Sequence, residues 1–145
     1  VENKPDDVVV ERIPVNFGHD SWKTLQKGYA TLRSLEIQDA MTIKFFEAVQ
    51  DKKYYLGDAN AFSSWLSIYG YAPEQIKLAY DSPQAKEFLQ AYYGAEVRYR
   101  VRSIPRAIVN GKYEIKIKSI EGETDKDKEA NLIKLIDYLL NKEGE

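Results

Sequence analysis

Cysteine is absent from all 145 residues. Its absence excludes disulfides, thiolate catalysis and cysteine metal sites within the chain, and it leaves the redox compartment unread. Histidine occurs once, as His19, which cannot build a metal cluster alone. Beside Asp20 and just ahead of a helical pattern, it reads as a solvated loop residue rather than a catalytic base. No apolar run approaches the ~20 residues needed to cross a bilayer. The chain does not open on a charged segment followed by an apolar one, so no signal peptide is expected. Neither sign of charge dominates: 21 basic against 23 acidic residues leave a net charge of −2. That is no footprint for nucleic acid or for an acidic membrane surface. A Gly-rich phosphate loop, a nucleophile elbow and a histidine–carboxylate zinc pattern are all missing, and neither a metal nor a cofactor is expected.

What is present is material for a core. Hydrophobic residues make up 43% and aromatics 12%, enough for one domain, or one domain with an insertion, at this length. Residues 1–7 are a polar lead-in. Residues 8–15 read as a strand, with Pro14 at its edge or end. After a loop at 18–21, with Asp20 or Ser21 as N-cap, Trp22, Leu25, Tyr29 and Leu32 recur at helical spacing to about Leu35. A second helix spans 38–49, with Met41, Phe45 and Val49 on one stripe. Asp58 or Asn60 caps a third, carrying Phe62, Trp65, Leu66 and Tyr69 and closed by a left-handed Gly70. Pro73 opens a fourth through Tyr80, and Ser82-Pro83 a fifth to about Val97. A last helix of about fifteen residues carries Ala130, Ile133, Leu135, Ile136, Leu139 and Leu140, with Gly144 beyond it. The aromatics sit at helical spacing without interleaved basic residues, so they read as core rather than as a stacking platform. Residues 121–129 read as a solvated loop and first helical turn. The carboxylate pairs Asp6–Asp7 and Asp125–Asp127 lie in polar surroundings that would not raise a pKa.

Between the fifth and last helices lies a hairpin. Ala107, Ile108 and Val109 form a short apolar run, and residues 113–117 alternate with period two. Asn110-Gly111 tolerates the positive φ of a tight type I′ turn. Pro105 stands at the strand's entry, where its missing N–H costs no ladder bond. By residue type alone the Ile104–Pro105 bond would be trans. Arg98, Arg100 and Arg102 alternate ahead of it and would share one face of an extended segment. Read residue by residue, this is a soluble globular domain with a small sheet and a helical insertion.

Ser-Ile-Pro-Arg-Ala-Ile-Val-Asn-Gly-Lys-Tyr (residues 103–113) resembles the cis-proline strand and hairpin of the DsbA family of thiol:disulfide oxidoreductases. Ile-Pro-Val-Asn-Phe-Gly (13–18) resembles that family's strand leading into its helical insertion, and 131–142 suits its terminal helix. The resemblance implies an α/β, thioredoxin-like fold of DsbA type with an inserted all-helical domain, here without the first βα unit. Residues 1–17 and 101–145 would form the thioredoxin-like part and 18–100 the helical insertion, with Trp22, Phe45, Phe46 and Trp65 as the insertion's core. It also implies a periplasmic thiol:disulfide interchange protein that oxidises dithiols in secreted proteins. Its partners would be extended or unfolded polypeptides and, for the parent enzyme, a membrane redox partner. The family's Cys-X-X-Cys motif would precede the Val-Asn-Phe strand and is not here. No catalytic residue is therefore carried over, and the expectation is a fragment, or a variant, without its redox cysteines. Carried over by position, Pro105 becomes the cis proline and Ile104 the residue whose backbone pairs with substrate. Arg102 and Ser103 flank them, and Arg12 matches a basic residue supporting the active site. The alternatives are a non-redox peptide-binding module of the same type, and a cysteine-free isomerase or kappa-type glutathione transferase relative.

Overall fold

The helix expected after Gly18 forms as α1 (Asp20–Ser34). The structure, a computed structural model, describes residues 4–142, so the first residues of the polar lead-in and Gly144 lie outside the described residues. The rest falls into two compact units, one ending at Tyr99 and one starting at Arg100.

The first unit is helical. After α1 come α2 (Gln38–Phe46), which runs on into a π-helical turn at Glu47–Asp51, then α3 (Ala59–Ser67), α4 (Pro73–Tyr80) and α5 (Pro83–Arg98). The helix starts follow local chemistry. Asp58 accepts the Ala61 N–H at 2.8 Å, and Ser82 accepts the Ala85 N–H at 3.1 Å with Pro83 next in line, each satisfying a donor that the first turn leaves unpaired. Gly70 has φ +91°, as its left-handed role requires. At α1 the cap falls one residue earlier than expected. His19 holds the extended N-cap position without a side-chain cap, and its ring lies 5.5 Å from Trp22. Asp20 is already helical and accepts a hydrogen bond from Lys23 at 2.9 Å. That bond, chiefly, holds the Asp20 carboxyl below the usual carboxylate range. An acid in the first turn, one turn from a lysine, gains more there than by folding back as a cap.

Phe45, Phe62, Trp65 and Tyr80 form the centre of this unit. Phe62 is fully buried, and its ring centroid lies 5.9 Å from Phe45, 5.7 Å from Trp65 and 5.6 Å from Tyr80. Of the four expected core residues, Phe45 and Trp65 are inside, while Phe46 is 44% exposed and Trp22 half-buried. Adjacent helical residues are 100° apart, so of Phe45 and Phe46 only one can face the stripe. Gly28 on α1 is where the aromatics come closest. A Cβ there would stand 2.7 Å from the Phe45 ring and 3.1 Å from the Phe62 ring, closer than packed carbons tolerate.

Residues 8–15 form no strand, because no ladder partner lies beside them among the described residues. Side chains instead hold the end of this segment and the residues just after it. Gln26 donates to the Pro14 carbonyl at 2.6 Å and accepts from Asn16 Nδ2 at 2.8 Å. Asn16 Oδ1 accepts the Gly18 N–H at 2.7 Å, and the Glu96 carboxylate accepts the N–H groups of Asn16 and Phe17 at 3.1 Å each. Upstream, Arg33 bonds Glu11 at 2.8 Å while its guanidinium lies over Phe88, 4.2 Å from the ring centroid.

Tyr92 on α5 is buried beside that guanidinium. Burial pushes its phenol up to about 12, against the opposing pull of Arg33. The unfolded phenol titrates near 10. The folded state therefore binds this proton more tightly, and the resulting stabilisation is complete below pH 10 and lost as pH rises to 12. Urea denaturation of Tyr92→Phe and the parent at pH 9 and at pH 11 checks this. The parent should lose more stability than the variant between the two, and equal losses would show that Tyr92 contributes none of the slope.

The second unit pairs β1 (Arg106–Val109) with β2 (Tyr113–Lys116), followed by a 3₁₀ turn at Ile117–Ser119 and α6 (Asp125–Asn141). Asn110 and Gly111 have φ of 51° and 69° and the Lys112 N–H reaches the Val109 carbonyl at 3.0 Å, as a type I′ turn requires. The connection nevertheless has three residues rather than two, since Val109 pairs with Tyr113. The hydrophobic pattern decides this. The observed register sets Ala107 opposite Ile115 and Val109 opposite Tyr113, whereas a two-residue loop would put Ala107 opposite Glu114 and Val109 opposite Lys112. The apolar face packs on α6, where Val109, Ile115 and Leu139 are buried. The charged stretch before α6 ends in a capping box. The Thr124 hydroxyl accepts the Asp127 N–H while Asp127 accepts the Thr124 N–H. This accounts for one member of the Asp125–Asp127 pair as a helix cap. Hydrogen bonding to Thr124 also holds the Asp127 carboxyl below the usual range.

Candidate functional site

The residues singled out in the sequence meet at the entrance to β1. Residues 102–105 are all exposed, and Ile104 keeps 45% of its surface in water. The Ile104–Pro105 bond is cis, as the family resemblance implies and residue type alone does not. The loop stands outside the ladder, which begins at Arg106. Among the described residues no hydrogen bond reaches the Ile104 N–H or carbonyl. An exposed backbone pair without a partner can bind only something that brings its own donor and acceptor, and an extended peptide does so.

One residue that the sequence reading passed over as part of a strand shapes this loop. The Arg106 side chain folds back across Pro105. Its Nε donates to the Ser103 carbonyl at 3.2 Å and its Nη2 to the Ser103 hydroxyl at 2.7 Å. The third nitrogen, Nη1, is shut off from solvent and lies 3.2 Å from Glu114 Oε1 on β2, an ion pair rather than a directed hydrogen bond. The strand alternation held the signal, because 106 and 114 share the hairpin face turned away from α6 once the register is known.

Arg12 lies in the other unit, in an exposed ion pair with Asp39 at 3.3 Å. The His19 ring lies against Trp22, tilted by 50°. Among the described residues no group of histidine, cysteine and carboxylate side chains could hold a metal ion, and no helix is long and apolar enough to cross a membrane. Clefts of about 610 Å³ beside Lys27 and Tyr80, and of about 500 Å³ between β2 and α6, do not include residues 102–105. The candidate site is an exposed stretch of backbone beside the hairpin.

No protein-family model matches the chain. Among curated proteins it is 28% identical over 143 residues to the thiol:disulfide interchange protein DsbA of Pseudomonas syringae pv. tomato. It is also 28% identical over 142 residues to the DsbA of Pseudomonas aeruginosa. These alignments take in 99% and 98% of the chain but 64% of each relative's length. Among solved structures, the crystal structure of Pseudomonas aeruginosa DsbA superposes with a TM-score of 0.83 at 29% identity, covering 98% of this chain and 70% of that one. The DsbA of Proteus mirablis, solved as a cysteine-to-serine variant with a non-covalently bound peptide, shares the fold with a TM-score of 0.86 at 17% identity, covering 96% of this chain and 74% of that one. The chain is a homologue of the DsbA thiol:disulfide interchange proteins, thioredoxin-like with a helical insertion and without a cysteine of its own.

Proposed function

We propose that this chain holds extended polypeptide for thiol:disulfide interchange of the DsbA type, with the substrate lying along residues 102–105. The observation that carries the reading is the exposed Ile104 backbone, whose N–H and carbonyl meet no partner. A strand laid alongside would complete both groups, and exposure of the flanking side chains leaves room for varied sequences. The Proteus mirablis relative was solved with a non-covalently bound peptide, which supports a polypeptide ligand. The chemistry itself needs cysteines from outside these 145 residues. A substrate thiolate attacks a disulfide to give a mixed disulfide and a released thiolate, and the second substrate thiolate then completes the exchange. In this reading 1–17 and 101–145 are the thioredoxin-like part, 18–100 is the insertion, Arg12 supports the site, the compartment is the periplasm, and a membrane partner restores the disulfide.

Fluorescence anisotropy with a labelled peptide PWATCDS, the sequence bound by that relative, tests the reading. Saturable binding is expected, without any dithiol oxidation by the chain alone. Ile104→Pro, which removes the N–H donor, should weaken binding, and Ile104→Val should not. Absence of saturable binding by the parent would sink the proposal. The lack of cysteine favours a second reading, a non-redox peptide-binding module. Thiol titration of the protein purified from its natural source separates the two, since only the first requires a dithiol.

A further inference from the structure

We propose that Arg106 is the positioning residue of the 102–105 loop, aiming the Ile104 N–H at the bound peptide; the inference rests on reading that loop as peptide-binding. The argument starts from the peptide plane. The Ser103 carbonyl and the Ile104 N–H belong to one planar unit. Whatever fixes the direction of the carbonyl therefore fixes the direction of the N–H. Arg106 fixes it through Nε on the Ser103 carbonyl, while Nη2 on the Ser103 hydroxyl helps hold the guanidinium in place. These two nitrogens form one edge of a rigid guanidinium, so both contacts set a single orientation. The opposite end of the guanidinium is anchored on Glu114 of β2, and the side chain is only 15% exposed. The hairpin register makes that anchor available. Arg106 faces like-charged Lys116 directly and has Glu114 as its diagonal neighbour, so attraction and repulsion both turn it toward Glu114. In a trans peptide plane the N–H points away from its carbonyl. With the carbonyl held by Arg106, the Ile104 N–H faces away from the hairpin's own side chain and stays open to a ligand.

Lysine keeps the charge but has no fork, so Arg106→Lys separates geometry from electrostatics. Three variants of the full chain, Arg106→Lys, Glu114→Gln and Ser103→Ala, are compared by anisotropy with the same PWATCDS peptide. The amide resonance of Ile104 is followed by nuclear magnetic resonance, and hairpin integrity by the amides of Val109 and Ile115. Arg106→Lys is expected to shift the Ile104 amide and weaken binding about tenfold, the scale of one charge-assisted hydrogen bond. Ser103→Ala should cost less, because the carbonyl contact remains, and Glu114→Gln should fall between them. Parent-like binding and an unmoved Ile104 amide in Arg106→Lys would overturn the inference while leaving peptide binding intact. If the parent binds no peptide, the reading beneath it fails, and the Ile104 amide alone still decides whether Arg106 orients the loop. If Arg106→Lys loses the Val109 and Ile115 signals, Glu114→Gln, which keeps the guanidinium and removes its anchor, decides by the same two readouts.

Discussion

Phe62→Ala is expected to destabilise the helical unit by about 3–5 kcal/mol, the range for deleting a buried aromatic ring from a packed core. Phe62 is fully buried and contacts the rings of Phe45, Trp65 and Tyr80 at 5.6–5.9 Å. The loss has two parts. The ring's transfer from water is forfeited, and a cavity remains because the neighbours sit on three different helices and cannot all move in. Gly28 limits the collapse further, since the α1 backbone already lies against the Phe45 and Phe62 rings. At roughly 4 °C per kcal/mol for a unit of this size, the melting temperature should fall by about 12–20 °C. Trp65 packs on Phe62 and Trp22 also belongs to this unit, so tryptophan fluorescence reports the transition directly. A shift under about 1 kcal/mol would mean that the aromatic cluster repacks like a fluid rather than a solid.

Leu139→Ala is expected to cost about 2–3 kcal/mol, the lower part of the range for leucine truncation because Leu139 is 9% exposed. Its consequence is larger than the figure implies. Among the described residues of the second unit, Val109, Ile115 and Leu139 are the buried hydrophobic ones, and small units hold little stability in reserve. Losing one of the three should release the apolar face of the hairpin from α6. The exposed loop at 102–105 enters that hairpin, so peptide binding should fall with it. Hydrogen exchange at Val109 and Ile115 gives the measure, with faster exchange expected at both. Both tryptophans are in the other unit, so fluorescence should stay native. Parent-like protection at these two amides would show that α6 is not what holds the hairpin.

The helices were legible because each announces itself locally. Proline at the first position of α4 and α5, the Asp58 and Ser82 caps and the three-to-four spacing of apolar residues act within one or two turns. Most of the features that were misread depend on a partner outside their own stretch; the α1 cap, where Asp20 pairs with Lys23 three residues on, is a local exception. Residues 8–15 carry strand-like residues, but a strand is defined by its partner, and here Gln26 and Arg33 hold the segment at Pro14 and Glu11 while Glu96 holds Asn16 just after it. The turn at Asn110-Gly111 was recognisable, whereas its third residue was set by matching Ala107 and Val109 to the apolar positions of β2. Phe45 and Phe46 are indistinguishable by type, and only the packing of α2 chose between them.

The candidate site divides in the same way. The order of residues by itself determined where a turn, a proline and a strand would meet, and that no thiol chemistry can come from these 145 residues. It also placed Arg102, Ser103, Ile104 and Pro105 together, because they are consecutive. Only the tertiary structure decided that the Ile104 backbone is left without a partner and that Arg106 turns back to hold Ser103. The physical reason is reach. Caps, turns and helical stripes are satisfied within a few residues, whereas the Arg106 anchor, Glu114, comes within reach only after the hairpin has closed in its three-residue register.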